Sequence, residues 1–216
     1  MKRQIILGFL CLIIFLSCSF LYRGILNNLP FVPGFVINRV RQTQVIIGQG
    51  EYSGQGVIYK QNEDGIYIIT AKHIIPKLDA YYTVRFYNNS IRTAKVIRHF
   101  KYNDLGILYI KGEHFSNPPK IKPVKLGMNI FVFKNISSFV FNDNTSSGKI
   151  HNLYFQFVGK PAYLSTTAFG FFGSSGGGAY TYRGDLVGII SLIIPTSRRA
   201  EIVNLYDAFQ LENGDF

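Results

Sequence analysis

The chain has 216 residues, 47% of them hydrophobic, and carries a formal net charge of +11. That is enough apolar material to bury a core and excludes disorder for most of its length. Its two cysteines, Cys11 and Cys18, both fall in the first 18 residues, which excludes a disulfide framework or a Cys/His metal site in the remainder.

Lys2 and Arg3 precede an almost unbroken apolar run from Ile5 to Tyr22. The run is long enough for a transmembrane helix and long for a signal-peptide core. Two readings stand for residues 1–23: a signal anchor, or a signal peptide that is cleaved. With Lys2 and Arg3 held in the cytoplasm, the rest lies on the extracytoplasmic side, membrane-anchored or, after cleavage, secreted or periplasmic. Residues 24–42 hold Asn27, Asn28, Pro30, Pro33 and Gly34 and read as a linker.

From residue 43 the apolar residues lean to Ile, Val, Tyr and Phe and recur in short runs between turn residues, which predicts an all-β barrel or sandwich. Strands are expected over 43–48, 54–60, 65–70, 81–87, 92–99 and 105–110. Residues 111–125, with Pro118, Pro119 and Pro123 among four lysines, read as a link between two halves. Strands resume over 129–134, 138–142, 149–158, 163–167, 179–182 and 186–194, and the apolar spacing over 202–211 predicts a short closing helix. No close repeat relates the two halves.

Three places carry chemistry. Gly173-Ser174-Ser175-Gly176-Gly177 puts a hydroxyl beside bare backbone N–H groups, the requirement for attack on a carbonyl and capture of the resulting oxyanion. Taken alone, the loop also reads as a flexible glycine turn. A serine needs a base. Of four histidines, His73 stands where the apolar strand 65–70 ends, whereas His99, among Arg98 and Lys101, reads as exposed, and His114 and His151 have no distinguishing context. Asp104 opens the apolar run Leu105–Ile110, where a carboxylate needs a hydrogen-bond partner. Asp64, Asp79, Asp143 and Asp185 read as turn residues.

Thr70-Ala71-Lys72-His73, Asp104-Leu105-Gly106-Ile107-Leu108 and Gly173-Ser174-Ser175-Gly176-Gly177 resemble the signature blocks of chymotrypsin-like serine proteases, in that clan's order. Gly54-Gln55-Gly56-Val57-Ile58, Leu126-Gly127 with Ile130-Phe131-Val132-Phe133, and Gly188-Ile189-Ile190-Ser191 extend the resemblance over roughly 43–210. It is similar to the cysteine-free bacterial and viral branch, and to the protease domain of the HtrA/Deg family, without room for a PDZ domain after it.

The resemblance implies two six-stranded antiparallel β-barrels, about 43–112 and about 124–200, inside a protease domain over 43–216, with the helix at about 202–211. It implies His73 as general base, Asp104 as its orienting partner and Ser175 as nucleophile, with the N–H groups of Gly173 and Ser175 as oxyanion hole. Phe169, Ile190, Ser191 and Leu192 are expected along the substrate pocket, with a small or medium apolar residue preferred before the scissile bond; Phe169 reads equally as core. No metal or cofactor is expected, and the partners are a protein or peptide substrate and a membrane through residues 5–22. Ser174 departs from the Asp or Asn that such proteases carry, so activation by pairing a new N-terminus with a carboxylate there is not expected. Two rival readings are a catalytically inactive binding protein of the same fold and a basic module for nucleic acid or anionic membranes. The second accounts for the charge and leaves the three ordered blocks without a reason.

Overall fold

The computed structural model describes residues 31–49, 52–115, 117–133, 145–155, 163–171 and 173–211. Helix α1 (Gly34–Arg41) leads into twelve strands: β1 (Gln44–Gln49), β2 (Tyr52–Gln61), β3 (Gly65–Thr70), β4 (Tyr81–Phe86), β5 (Ile91–His99), β6 (Gly106–Lys111), β7 (Asn129–Phe133), β8 (Thr145–Phe155), β9 (Tyr163–Phe169), β10 (Gly178–Thr181), β11 (Leu186–Ile194) and β12 (Arg199–Asn204). Helix α2 (Leu205–Leu211) ends the described chain.

The strands close two antiparallel barrels, ordered β1-β2-β3-β6-β5-β4 and β7-β8-β9-β12-β11-β10. The second order is the first moved on by six strands, so the halves share a topology that no sequence repeat announces. The expected all-β, two-barrel fold and closing helix are present. Two local expectations differ. The linker over 24–42 contains α1, whose Val36 and Val40 are 1% exposed and packed into the core. Residues 199–204 form β12 and give the second barrel its sixth strand, where a helix had been expected from residue 202. The expected strand at 138–142 and the apolar run at 5–22 lie outside the described residues. Among the described residues, no helix is long and apolar enough to cross a membrane.

Successive side chains of a strand point to opposite faces, and the strands use both. On β3, Ile66 and Ile68 fill the first barrel with Val45, Ile47, Val84, Val96 and Leu108. Ile69, one step on, turns outward into a core between the barrels with Val57, Phe131, Phe133, Tyr180 and Ile189. A strand buried on both faces reads as a continuous apolar run, which is why its bounds were visible in sequence. The second barrel encloses Ile130, Val132, Leu164, Val187, Ile190 and Ile202. Asn204 directly precedes helix α2, and its side-chain oxygen accepts from the Tyr206 N–H at 3.1 Å, as a capping residue does. The helix lays Phe209 edge-on against Phe100 of the first half, ring centres 5.3 Å apart.

Candidate active site

His73 lies in the single 3₁₀ turn Lys72–Ile74 that follows β3, and Asp104 lies just before β6. β3 and β6 are paired neighbours, so the register from Gly65 opposite Lys111 to Thr70 opposite Gly106 carries the two side chains to one end of the barrel. There the Lys72 N–H donates to the Asp104 carbonyl at 3.2 Å, and the His73 N–H to Asp104 Oδ1 at 3.0 Å. His73 Nδ1 stands 2.7 Å from Asp104 Oδ2. The imidazole is thus held at its backbone and at one ring nitrogen, while the side chain remains 47% exposed. His99, read as exposed, is half-buried, with Nε2 2.7 Å from the Ile75 carbonyl oxygen, bracing the same turn. His114 and His151 are exposed.

Burial by itself would push the Asp104 carboxyl up. Hydrogen bonds from the His73 ring and the Ser191 hydroxyl, the charge of His73 and its backbone N–H outweigh this and hold the carboxyl below the ordinary range, so it stays ionised. The hydroxyl of Ser191, donated from β11 of the second barrel, was not foreseen in this role: Ser191 had been expected at the substrate pocket. A serine in an apolar strand gives no sign in sequence of which acid it will meet.

The loop 170–178 joins β9 to β10. Its Ser174 is fully buried. The Ser174 hydroxyl accepts the Phe171 N–H at 3.0 Å, the Ser174 N–H returns to the Phe171 carbonyl at 2.9 Å, and the Ser174 carbonyl accepts from the Gly177 N–H at 2.9 Å. Ser174 is therefore the internal pin of the turn, which accounts for a small hydroxyl residue at the position where a carboxylate is absent. Gly173 and Gly176 take positive φ, +88° and +83°. A Cβ on Gly176 would lie 1.9 Å from the Gln55 carbonyl oxygen. Both positions use the conformational freedom that only glycine provides, and Gly176 the close approach as well.

His73, Asp104, Gly173 and Ser175 open on one cavity of about 540 Å³ between the barrels, lined also by Tyr163, Ser191, Leu192 and Ile193 and, on the first-barrel side, by Lys72 and Lys101. Among the described residues, the N–H groups of Gly173 and Ser175 donate to no backbone acceptor. Of the residues expected along a substrate pocket, Ser191 and Leu192 line this cavity. Ile190 is fully buried inside the second barrel, because its place on β11 points inward. Phe169 ends β9 opposite Arg199, 49% exposed, and contributes nothing to the lining. One acid escaped the sequence reading. Glu201 of β12, fully buried, is the register partner of both Leu192 and Ser165 and accepts the Ser165 hydroxyl at 2.7 Å. Among the described residues, no group of His, Cys, Asp and Glu is arranged to hold a metal ion.

Two closed six-stranded barrels with a histidine, a carboxylate and a loop serine at their shared cleft define a two-barrel peptidase class. The model of the trypsin-like peptidase domain matches residues 54–189, well over half the chain, and the chain belongs to that family. Its curated relatives include the serine endoprotease DegS of Haemophilus influenzae, 30% identical over 145 residues, which are 65% of this chain and 42% of that protein. They also include the serine protease Do-like HtrB of Bacillus subtilis, 28% identical over 152 residues, 66% of this chain and 33% of the relative. The chain thus spans less than half the length of either. Among solved structures, the HtrA-type protease AlgW with a tripeptide superposes with a TM-score of 0.67 at 17% identity, covering 82% of this chain and 62% of that one. An inactive form of Rv3671c from M. tuberculosis H37Rv gives 0.66 at 16%, covering 85% and 90%. At such identities these two likenesses concern the fold.

Proposed function

We propose that the chain is a serine endopeptidase, with residues 43–216 as its peptidase domain. The observation that carries this reading is the His73–Asp104 pair, 2.7 Å apart, opening on the same cavity as Ser175 and the glycine-flanked N–H groups of its loop. In this reading Asp104, kept ionised, orients the His73 ring and stabilises its charged form. His73 takes the proton from Ser175 Oγ as that oxygen attacks the peptide carbonyl. The N–H groups of Gly173 and Ser175 receive the oxyanion. His73 then passes the proton to the leaving amine, and water, activated by the same ring, releases the acyl group from Ser175.

The substrate is a protein or peptide, as the peptide-bearing HtrA-type neighbours encourage. Leu192 and Ile193 supply apolar wall to the cavity, in keeping with a small or medium apolar residue before the scissile bond. The apolar run at 5–22 serves as a signal anchor, or as a signal peptide if cleaved, and puts this domain on the extracytoplasmic side. The test is covalent labelling of the full chain by a fluorophosphonate. The wild type is expected to label, and Ser175→Ala and His73→Ala to lose the signal. Label retained in Ser175→Ala defeats the assignment, and an inert wild type points instead to a binding protein on the same fold.

A further inference from the structure

Gln55 of β2 is 1% exposed, an unusual place for a carboxamide, and two of its four polar groups bond the nucleophile loop. Its backbone N–H donates to the Ser175 carbonyl at 2.8 Å. Its side-chain Nε2 donates to the Gly173 carbonyl at 3.0 Å, across 118 residues of sequence and from one barrel to the other. Its own carbonyl accepts the Thr70 hydroxyl at 2.6 Å, and Thr70 stands three residues before His73. The remaining group, Oε1, is buried with no hydrogen-bond partner among the described residues, so the amide is held there at a cost. Gly176 and Gly177 are shaped around this residue: added Cβ atoms would come within 1.9 Å of its carbonyl oxygen and 2.6 Å of Oε1.

We infer that Gln55 is a positioning residue for the oxyanion hole, acting through the Gly173 carbonyl. This rests on the peptidase reading above. The peptide unit between Gly173 and Ser174 is fixed at both ends, its C=O on Gln55 Nε2 and its N–H on the Phe171 carbonyl. The next unit has its C=O on the Gly177 N–H. N–H and C=O of a trans peptide point opposite ways, so the Ser175 N–H is turned away from Gly177. Gly173, at φ +88°, has no side chain to resist rotation, and at the carbonyl end of the unit the Gln55 amide supplies that resistance. An oxyanion hole works only when its donors are already aimed. Removing the amide therefore leaves the Gly173 unit held at its N–H end only, while the backbone bond to Ser175 survives a substitution at 55 that keeps the N–H.

Gln55→Met keeps length and loses the donor, and Gln55→Glu keeps shape and sets a carboxylate against the Gly173 carbonyl. Both are tested in the full chain beside the wild type. The measurements are peptide-amide hydrolysis, the rate of fluorophosphonate labelling, and inhibition by a peptide boronate, whose tetrahedral adduct occupies the hole. Both variants are expected to lose roughly 10- to 100-fold in kcat, labelling rate and boronate affinity. KM is expected to stay near wild type in both variants and the melting temperature in Gln55→Met, a split that loss of folding does not produce, while the buried carboxyl of Gln55→Glu lowers its melting temperature. Wild-type labelling rates in both variants overturn the role of Gln55 and leave the peptidase reading standing. So do losses in Gln55→Met that follow the melting temperature. Failure of the wild type itself to label removes the peptidase reading, and with it this inference.

Discussion

At the scale of single residues the informative groups are polar side chains the core has taken in. Ser191, 5% exposed, gives its hydroxyl hydrogen to Asp104 and helps hold that carboxyl below the ordinary range against the upward push of burial. Glu201 shows the opposite balance. Burial pushes its carboxyl up to about 7, against the Ser165 hydroxyl and the charge of Arg199, and its Oε2 has no partner among the described residues. A raised carboxyl favours the proton in the folded chain. Its contribution to stability is therefore present in full below the ordinary carboxyl value of 4.5 and is lost as pH rises through about 7. Glu201→Gln keeps the shape and cannot ionise. Thermal melts between pH 4.5 and pH 8 are expected to show the wild type losing ground to this variant as pH rises, and parallel curves would refute the assignment.

At the scale of the element, the loop between β9 and β10 is set by contacts on both sides. The Gly176 N–H donates to the Ile190 carbonyl at 2.7 Å, and the Gly177 carbonyl accepts from the Ile190 N–H at 2.8 Å, so β11 holds the loop from within its own barrel. Gln55 holds it from the other. Gly176 lies between them with φ +83°, and a methyl there would meet backbone oxygen at 1.9 Å. The neighbour is main chain, so the loop must move. Gly176→Ala is expected to cut fluorophosphonate labelling by about 10²-fold, the scale of losing an oxyanion donor, while circular dichroism reports both barrels intact. Labelling at the wild-type rate would show that the loop tolerates displacement.

At the scale of the whole molecule the cleft depends on how the barrels dock. Tyr180 of β10 is fully buried between them, its ring against Phe131 and Phe133 and its hydroxyl bonded by Gln44 Nε2, with the Thr43 hydroxyl at 3.3 Å, both at the start of the first barrel. Tyr180→Phe keeps the packing and leaves the buried Gln44 amide only the long contact to the Thr43 hydroxyl, 3.5 Å, at about 1–3 kcal/mol. A lower urea midpoint with an unchanged slope is expected; an unshifted midpoint would mean the hydroxyl contributes nothing to docking.

Much of this was written in local sequence. The bounds of β3 and β11 were readable because both strands are apolar over their whole length, and His73 and Asp104 were readable because each sits at the end of such a run. Helix α1 was hidden behind Pro33 and Gly34, which also suit a linker, and β12 was hidden because Val203, Leu205 and Phe209 fit a helical spacing as well as a strand passing into a helix. The partners of the polar groups lay beyond reach. The register shift in β11 between Ile190 and Leu192 decides that Ile190 points into the barrel while Leu192 meets the cleft, and a shift of one residue changes the face a side chain occupies.

The sequence by itself determined most of the strands, the residue types of the site and the glycines of its loop, because these depend on neighbours along the chain. The tertiary structure alone decided that Ser191 would meet Asp104, that Glu201 would be buried beside the cleft and that Gln55 would reach Gly173. Those contacts join residues far apart, 87 in the first case and 118 in the last. They exist only once two barrels have closed in register and docked face to face.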